Sequence, residues 1–265
     1  MKYYEKLVDM KCFTRQDVEK LTGNKETAKS LLNNYKKKGY IESVRRNLFV
    51  SISMETGEPV ADRFVIASHI VPEACVTHHS AFQFHGMTNQ VFYELYVATP
   101  GNKKFSEFTY NGITYRYTAS HLDMGVETKY DGMIRVTDLE RTVIDSIEDI
   151  NKIAGLEEVL NCIEAIPPRW LSAQKLVSYL KKYKKSGKGF LYKKMGYILE
   201  HFQEKIDAPH ELFAECVKHI SKSKQYFDES LKNRPGTYYD EKWKLYVPEN
   251  LLFVISKGGM KFDTV

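Results

Sequence analysis

The chain has 265 residues, 43% of them hydrophobic and 28% charged, with a formal net charge of +5. That length exceeds what one core usually supports, so two domains are expected, and no apolar run nears the roughly 20 residues that would span a bilayer. The positive charge is uneven: residues 1–50 carry 12 Lys and Arg against 6 Asp and Glu, leaving 27 against 28 for residues 51–265.

A concentrated positive field is what draws a protein to a phosphate backbone, so the first fifty residues are where a polyanion would bind. Residues 3–11 read as a short helix with Tyr4, Leu7, Val8 and Cys12 near one face. Thr14 is a good N-cap with Asp17 three residues on, and Val18 and Leu21 supply an apolar stripe. Gly23-Asn24 stops this second helix. A third helix runs from Lys25 to Lys38 with Ala28, Leu31, Leu32 and Tyr35 at i, i+3, i+4, i+7 spacing, and Gly39 ends it.

The opposite face of that helix holds Glu26, Lys29, Ser30, Asn33, Asn34 and Lys37. Amides and hydroxyls reach base edges and flanking cations reach phosphates, as a recognition helix requires. Tyr40–Val44 and Leu48–Ile52 alternate like two strands about a turn at Arg45-Arg46-Asn47. A helix-turn-helix followed by an arginine-tipped hairpin predicts a winged helix over residues 1–52. Its expected contacts with double-stranded DNA are Lys25, Thr27, Lys29, Ser30, Asn33, Asn34, Lys37, Arg45, Arg46 and Asn47. A winged-helix protein–protein module is the competing reading, and it should lack the positive face.

The polar segment Ser53–Pro59 is the expected boundary, with an α+β domain over 60–265. A helix over 60–71 stops at Pro72, and Ala74-Cys75-Val76 is a short apolar piece. Thr77 to Gly86 reads as a capped helix ending at glycine, and Val91–Ala98 as a strand. Phe105–Ala119 forms a hairpin about Asn111-Gly112, and Asp131-Gly132 turns between Val126–Tyr130 and Met133–Val136. An antiparallel sheet is expected from these strands. Thr137-Asp138-Leu139-Glu140 reads as a capping box that opens a helix with Val143, Ile144 and Ile147 facing inward. Helices follow at about 152–165, 172–184, 190–204 and 207–220, and Tyr238–Val247 has strand character around Trp243. The expected fold class is α+β: an N-terminal winged helix, then a larger domain with a sheet early and helices late.

Phe13-Thr14 through Gly39-Tyr40-Ile41, Thr77-His78-His79-Ser80-Ala81-Phe82-Gln83-Phe84-His85-Gly86-Met87 and above all Arg135-Val136-Thr137-Asp138-Leu139-Glu140-Arg141-Thr142-Val143-Ile144-Asp145 form an ordered series. Gly196-Tyr197-Ile198-Leu199-Glu200 and Trp243-Lys244-Leu245 extend it. In order and spacing the chain resembles the AbiEi-type antitoxins of type IV toxin–antitoxin (abortive infection, phage defence) systems. The resemblance implies an N-terminal domain that represses its own operon at promoter repeats. It also implies a C-terminal domain that counteracts a nucleotidyltransferase-like toxin, typically without a stable complex.

Other chemistries find little support. The four cysteines lie far apart without a CxxC pair, which fits buried thiols in a reducing, cytoplasmic setting. The opening Met1-Lys2-Tyr3-Tyr4-Glu5 has no signal-peptide core. His78, His79 and His85 lack a Cys or carboxylate at ligand spacing, and His210-Glu211 lacks the second His of a zincin. No Walker loop, GxSxG, GxGxxG or nucleotidyltransferase signature is present, so neither a cofactor nor catalysis is expected. Arg141 and Asp145 stand at i, i+4 as a surface ion pair or, alternatively, a contact with the toxin or its substrate. Seven lysines between 181 and 194, Lys184 and Lys185 among them, form a solvated helix end or a second nucleic-acid contact. Two other readings stay open: a plain winged-helix transcription factor with a ligand-sensing body, and an unrecognised nuclease or transferase within residues 60–200.

Overall fold

The computed structural model describes residues 2–249 apart from 102, 121, 122 and 234, so residues 250–265 of the expected second domain lie outside the described residues. The chain divides into two compact units, residues 1–80 with 91–136 and residues 81–90 with 137–265. The polar segment 53–59 lies inside the first unit.

The first unit opens with α1 (Tyr4–Met10), β1 (Cys12–Phe13), α2 (Arg15–Thr22), α3 (Lys25–Lys37), β2 (Ile41–Arg45) and β3 (Leu48–Ser51). Thr14 caps α2 with a full capping box: its Oγ1 accepts from Asp17 N, and its own N–H donates to Asp17 Oδ2 at 2.8 Å. Gly23 closes α2 at φ +69, where a Cβ would be strained. Asn24 opens α3 by accepting from Thr27 N at 3.0 Å. The inner stripe of α3, Ala28 and Leu32, packs on Leu7, Phe13, Val18 and Ile41. Each of the larger side chains contributes roughly 1.5–3 kcal/mol by leaving water. The strands form an antiparallel sheet in the order β1-β3-β2.

The same unit continues with α4 (Arg63–His69), β4 (Cys75–Val76), β5 (Glu94–Pro100), β6 (Phe108–Tyr110), β7 (Ile113–Ser120), β8 (Val126–Lys129) and β9 (Ile134–Thr137) in a six-stranded sheet ordered β6-β7-β5-β4-β9-β8. This sheet is mixed, not antiparallel as the strand pattern suggested. β5 runs parallel to β7 from Glu94↔Thr114 to Pro100↔Ser120, and β4 is parallel to β9 at Val76↔Val136. Period-two alternation shows which face a residue takes but not the direction of the neighbouring strand. The β6–β7 hairpin turns at Asn111 and Gly112, both with positive φ, as a tight two-residue turn needs. A short helix, α5 (His78–Phe84), spans the change from the first unit to the second.

The second unit holds α6 (Leu139–Glu148), α7 (Leu156–Glu164), α8 (Ala173–Lys185), α9 (Leu191–His201), α10 (Gln203–Ile206) and α11 (His210–His219), then β10 (Gln225–Tyr226), β11 (Thr237–Asp240) and β12 (Leu245–Pro248). The small sheet is ordered β10-β12-β11. Val143, Ile144 and Ile147 of α6 are fully buried, so this helix lies at the centre of the unit. Its cap differs from the expected Thr137–Glu140 box: Asp138 is the N-cap, accepting from Arg141 N at 2.9 Å. β9 runs through Thr137, whose hydroxyl is within hydrogen-bond distance of that of Thr142, and Glu140 instead accepts from Ser172 N at 2.7 Å. The expected strand around Trp243 is two strands with the tryptophan in the turn between them. Trp243 is buried, its indole N–H donates to Glu200 Oε2 at 2.9 Å, and its ring lies directly on Gly196.

The resulting fold is mixed α+β. No helix among the described residues is long and apolar enough to cross a membrane.

Candidate nucleic-acid interface

α3 is 13 residues long, about 20 Å at the usual helical rise. With Ala28 and Leu32 buried on its inner side, the rotation of the helix is fixed. Lys25, Glu26, Thr27, Lys29, Ser30, Asn33, Asn34 and Lys37 are then all exposed. No carboxylate neutralises the three lysines: Lys25, Lys29 and Lys37 take part in no ion pair among the described residues. Lys25 and Thr27 sit in the first turn beside the Asn24 cap, so unpaired backbone N–H groups and the positive end of the helix dipole accompany them.

The hairpin β2–β3 treats its three predicted tip residues differently. Arg46 is exposed and has no ion pair among the described residues. Asn47, at φ +65, is a structural bridge: its Oδ1 accepts from Arg15 N at 3.2 Å and its Nδ2 donates to Gln16 Oε1 at 2.9 Å. The tip is thereby tied to the start of α2, which brings Arg46 near the exposed Arg15 and Gln16. Those two were not among the predicted contacts. Their only sequence signal was that Arg15 belongs to the same local charge excess.

Arg45 does not lie at an open tip. Its guanidinium stacks over Phe108 at 5.3 Å and Phe105 at 5.7 Å, and its Nη1 is buried without a hydrogen-bond partner among the described residues. Burial lowers its pKa from the ordinary arginine value. Glu42, on the same strand, accepts from the Tyr110 hydroxyl at 2.8 Å. Both ends of β2 are therefore fastened to the β6–β7 region within the first unit.

Two of the second-unit candidates are placed otherwise than expected. Arg141 and Asp145 do form an ion pair, Nε to Oδ2 at 3.2 Å, but both are buried, with 2% and 8% of their surface exposed. They are not a surface pair and present nothing to a partner. An i, i+4 pair has the same sequence spacing on any face of a helix, and here α6 is covered by α8. The Tyr183 hydroxyl of α8 donates to Asp145 Oδ1, and burial followed by the Asp145 charge pushes that phenol well above its ordinary pKa. Tyr179 donates to Asp138 at 2.7 Å, and Lys175 lies 3.4 Å from both Asp138 and Glu140. These contacts fasten α8 along α6.

The seven lysines do not form one patch. Lys181 pairs with Glu215 at 3.3 Å, and Lys188 pairs with Glu148. Lys193 is fully buried, donating to Ser223 O at 2.5 Å, and Lys194 stacks on Phe227 and Phe190. Burial lowers the pKa of both. Only Lys182, Lys184 and Lys185 remain exposed without a carboxylate partner among the described residues, and Lys184 reaches over Tyr192.

No family model matches this chain, and none of the curated proteins does. Solved structures do share its fold. The crystal structure of the RV2827C protein from Mycobacterium tuberculosis aligns with a TM-score of 0.60 at 13% sequence identity, over 93% of this chain and 89% of that one. At such identity the likeness speaks for the α+β architecture alone.

Among the described residues, no group of three His, Cys, Asp or Glu is placed to hold a metal ion. His85 Nε2 lies 2.8 Å from Thr137 O, and His79 packs edge-on against Phe92. All four cysteines are buried, and burial raises Cys12 to about 12. What the exposed surface of α3 and the Arg46 tip can do chemically is donate hydrogen bonds and neutralise phosphates.

Proposed function

We propose that residues 1–52 are a winged helix-turn-helix, with α3 as the recognition helix and β2–β3 as the wing, and that the protein is a transcriptional autorepressor. The carrying observation is the outer surface of α3. Three lysines without counter-ions among the described residues frame Ser30, Asn33 and Asn34, and an exposed arginine stands at the hairpin tip. A B-form major groove about 12 Å wide admits one such helix, where amides contact base edges and the cations contact phosphates. The winged-helix protein–protein module would not need this unneutralised cationic surface.

The C-terminal half of the reading is that of an antitoxin of a type IV toxin–antitoxin system that opposes a nucleotidyltransferase-like toxin without a stable complex. The resemblance of the Arg135–Asp145 and Gly196–Glu200 segments to AbiEi-type antitoxins supports it. The role of that Arg135–Asp145 segment is then to build the core on which the surface is presented, because its charged residues Arg141 and Asp145 are buried.

The test has two arms. The full chain at low salt should retard a duplex carrying its own promoter, with affinity falling steeply as salt rises. Co-expression with a neighbouring nucleotidyltransferase gene should restore growth. Failure to bind its own promoter at low salt ends the repressor reading, and binding without rescue ends the antitoxin reading.

A further inference from the structure

Within the first unit, between the start of α4 and the β6–β7 turn, lies a cavity of about 220 Å³ that is open to solvent. Its rim is Glu58, Asp62 and Arg63, and its walls include Ile66, Tyr110 and Tyr115. The Glu58 carboxylate and the second Asp62 oxygen, Oδ2, take no hydrogen bond or ion pair among the described residues. Asp62 Oδ1 is already used, capping α4 through Phe64 N and Val65 N at 2.8 and 2.9 Å. The one cation on the rim is turned to other partners: the Arg63 guanidinium lies over Phe64, and its Nη1 donates to Phe92 O at 3.3 Å. Tyr115 is 99% buried, and its hydroxyl makes no hydrogen bond among the described residues.

We infer that this cavity binds a small primary ammonium compound and that its occupancy is felt by the hairpin β2–β3. Two carboxylates supply the charge, the tyrosine faces attract a cation, and the Tyr115 oxygen accepts a hydrogen bond. The volume admits a chain of a few methylenes and excludes anything the size of a nucleotide.

The link to the hairpin is physical. Tyr110, in one wall, holds Glu42 of β2 through its hydroxyl. Tyr115, in another, stacks on Phe108 with ring centroids 4.9 Å apart, and Phe108 carries the Arg45 guanidinium on its other contact. One fastening of β2, at Glu42, thus runs through a residue that lines the cavity, and the other, at Arg45, through Phe108, which stacks on such a residue.

The experiment needs no DNA, so it is decided separately from the repressor reading. Titration calorimetry of the full chain with butane-1,4-diamine should give saturable binding, and butane-1,4-diol, the neutral analogue, should give none. Glu58→Gln and Asp62→Asn, the second of which keeps the α4 cap, should each weaken the diamine at least about tenfold, as losing a charge-assisted contact does. Amides in β2 and β3 should exchange with deuterium more slowly when the diamine is present. Equal binding of diamine and diol, binding unchanged in both variants, or no binding of the diamine would overturn the site. Binding with unaltered exchange in the hairpin would overturn the coupling.

Discussion

The two arginines at the hairpin, adjacent in sequence, should behave as different residues. Arg46 is exposed and pairs with no carboxylate among the described residues, so on DNA it should neutralise one phosphate. Arg46→Ala is then expected to lower the slope of log Kobs against log salt by about 0.9. Between 50 and 200 mM salt that slope change corresponds to roughly a threefold to fourfold difference in relative affinity. Arg45 is spent inside the protein. Its two ring contacts are worth about 0.5–1 kcal/mol each, while its orphaned Nη1 costs about 1 kcal/mol. Arg45→Ala should therefore leave the salt slope unchanged and alter stability by less than about 1 kcal/mol, and Arg45→Met should be neutral or stabilising. Fluorescence anisotropy of a labelled promoter duplex, read at several salt concentrations, gives the slopes, and urea unfolding gives the stabilities. Loss of the slope in Arg45→Ala with its retention in Arg46→Ala would refute these roles for the two arginines.

Three further outcomes are expected. Asn33→Ala or Lys29→Ala should cost roughly 1–3 kcal/mol at the cognate promoter and relax its sequence preference, measured by competition with single-base variants of the duplex. Gly196→Ala would place a methyl inside the Trp243 ring, 2.7 Å from Cε3 and nearer still to Cζ3 and Cη2. Overpacking of up to about 3 kcal/mol, less about 1 kcal/mol regained as helix propensity, leaves a net loss near 2 kcal/mol in urea unfolding. Lys193 has its pKa lowered by burial, so the folded state carries a penalty for its charge at neutral pH that disappears as pH approaches 10.5, the value of a free lysine. Lys193→Met should accordingly be more stable than the parent at pH 7, with the gap narrowing as pH rises; a constant gap would contradict this.

Local signals were the legible ones. Thr14 with Asp17, Gly23, the stripe Ala28-Leu32 and the pair Asn111-Gly112 each act through bonds or dihedral limits within a few residues, and each stands in the structure where its chemistry requires. What could not be read depends on residues far along the chain. Thr137 and Asp138 are both competent caps, and the choice fell to Asp138 because β9 extends through Thr137. Arg141 and Asp145 looked like a surface pair until Tyr183, 38 residues beyond Asp145, closed over them. Arg45 and Arg46 are alike in sequence, and only Phe105 and Phe108 separate them. Parallel pairing of β5 with β7 has no local signature at all.

The first unit leaves the chain at residue 80 and resumes at 91, ending only at 136. As a ribosome delivers the chain, the helices and hairpin near the start emerge long before Phe105, Phe108 and Tyr110, the side chains that brace β2, and before β9 arrives to flank β4. The early-made segment proposed to bind DNA must therefore wait on late-made ones to reach its final form. A fragment begun at residue 60 would strip those aromatics of their partner, so any dissection of the two activities by truncation should respect 136 rather than 52 as the place where the first folding unit is complete.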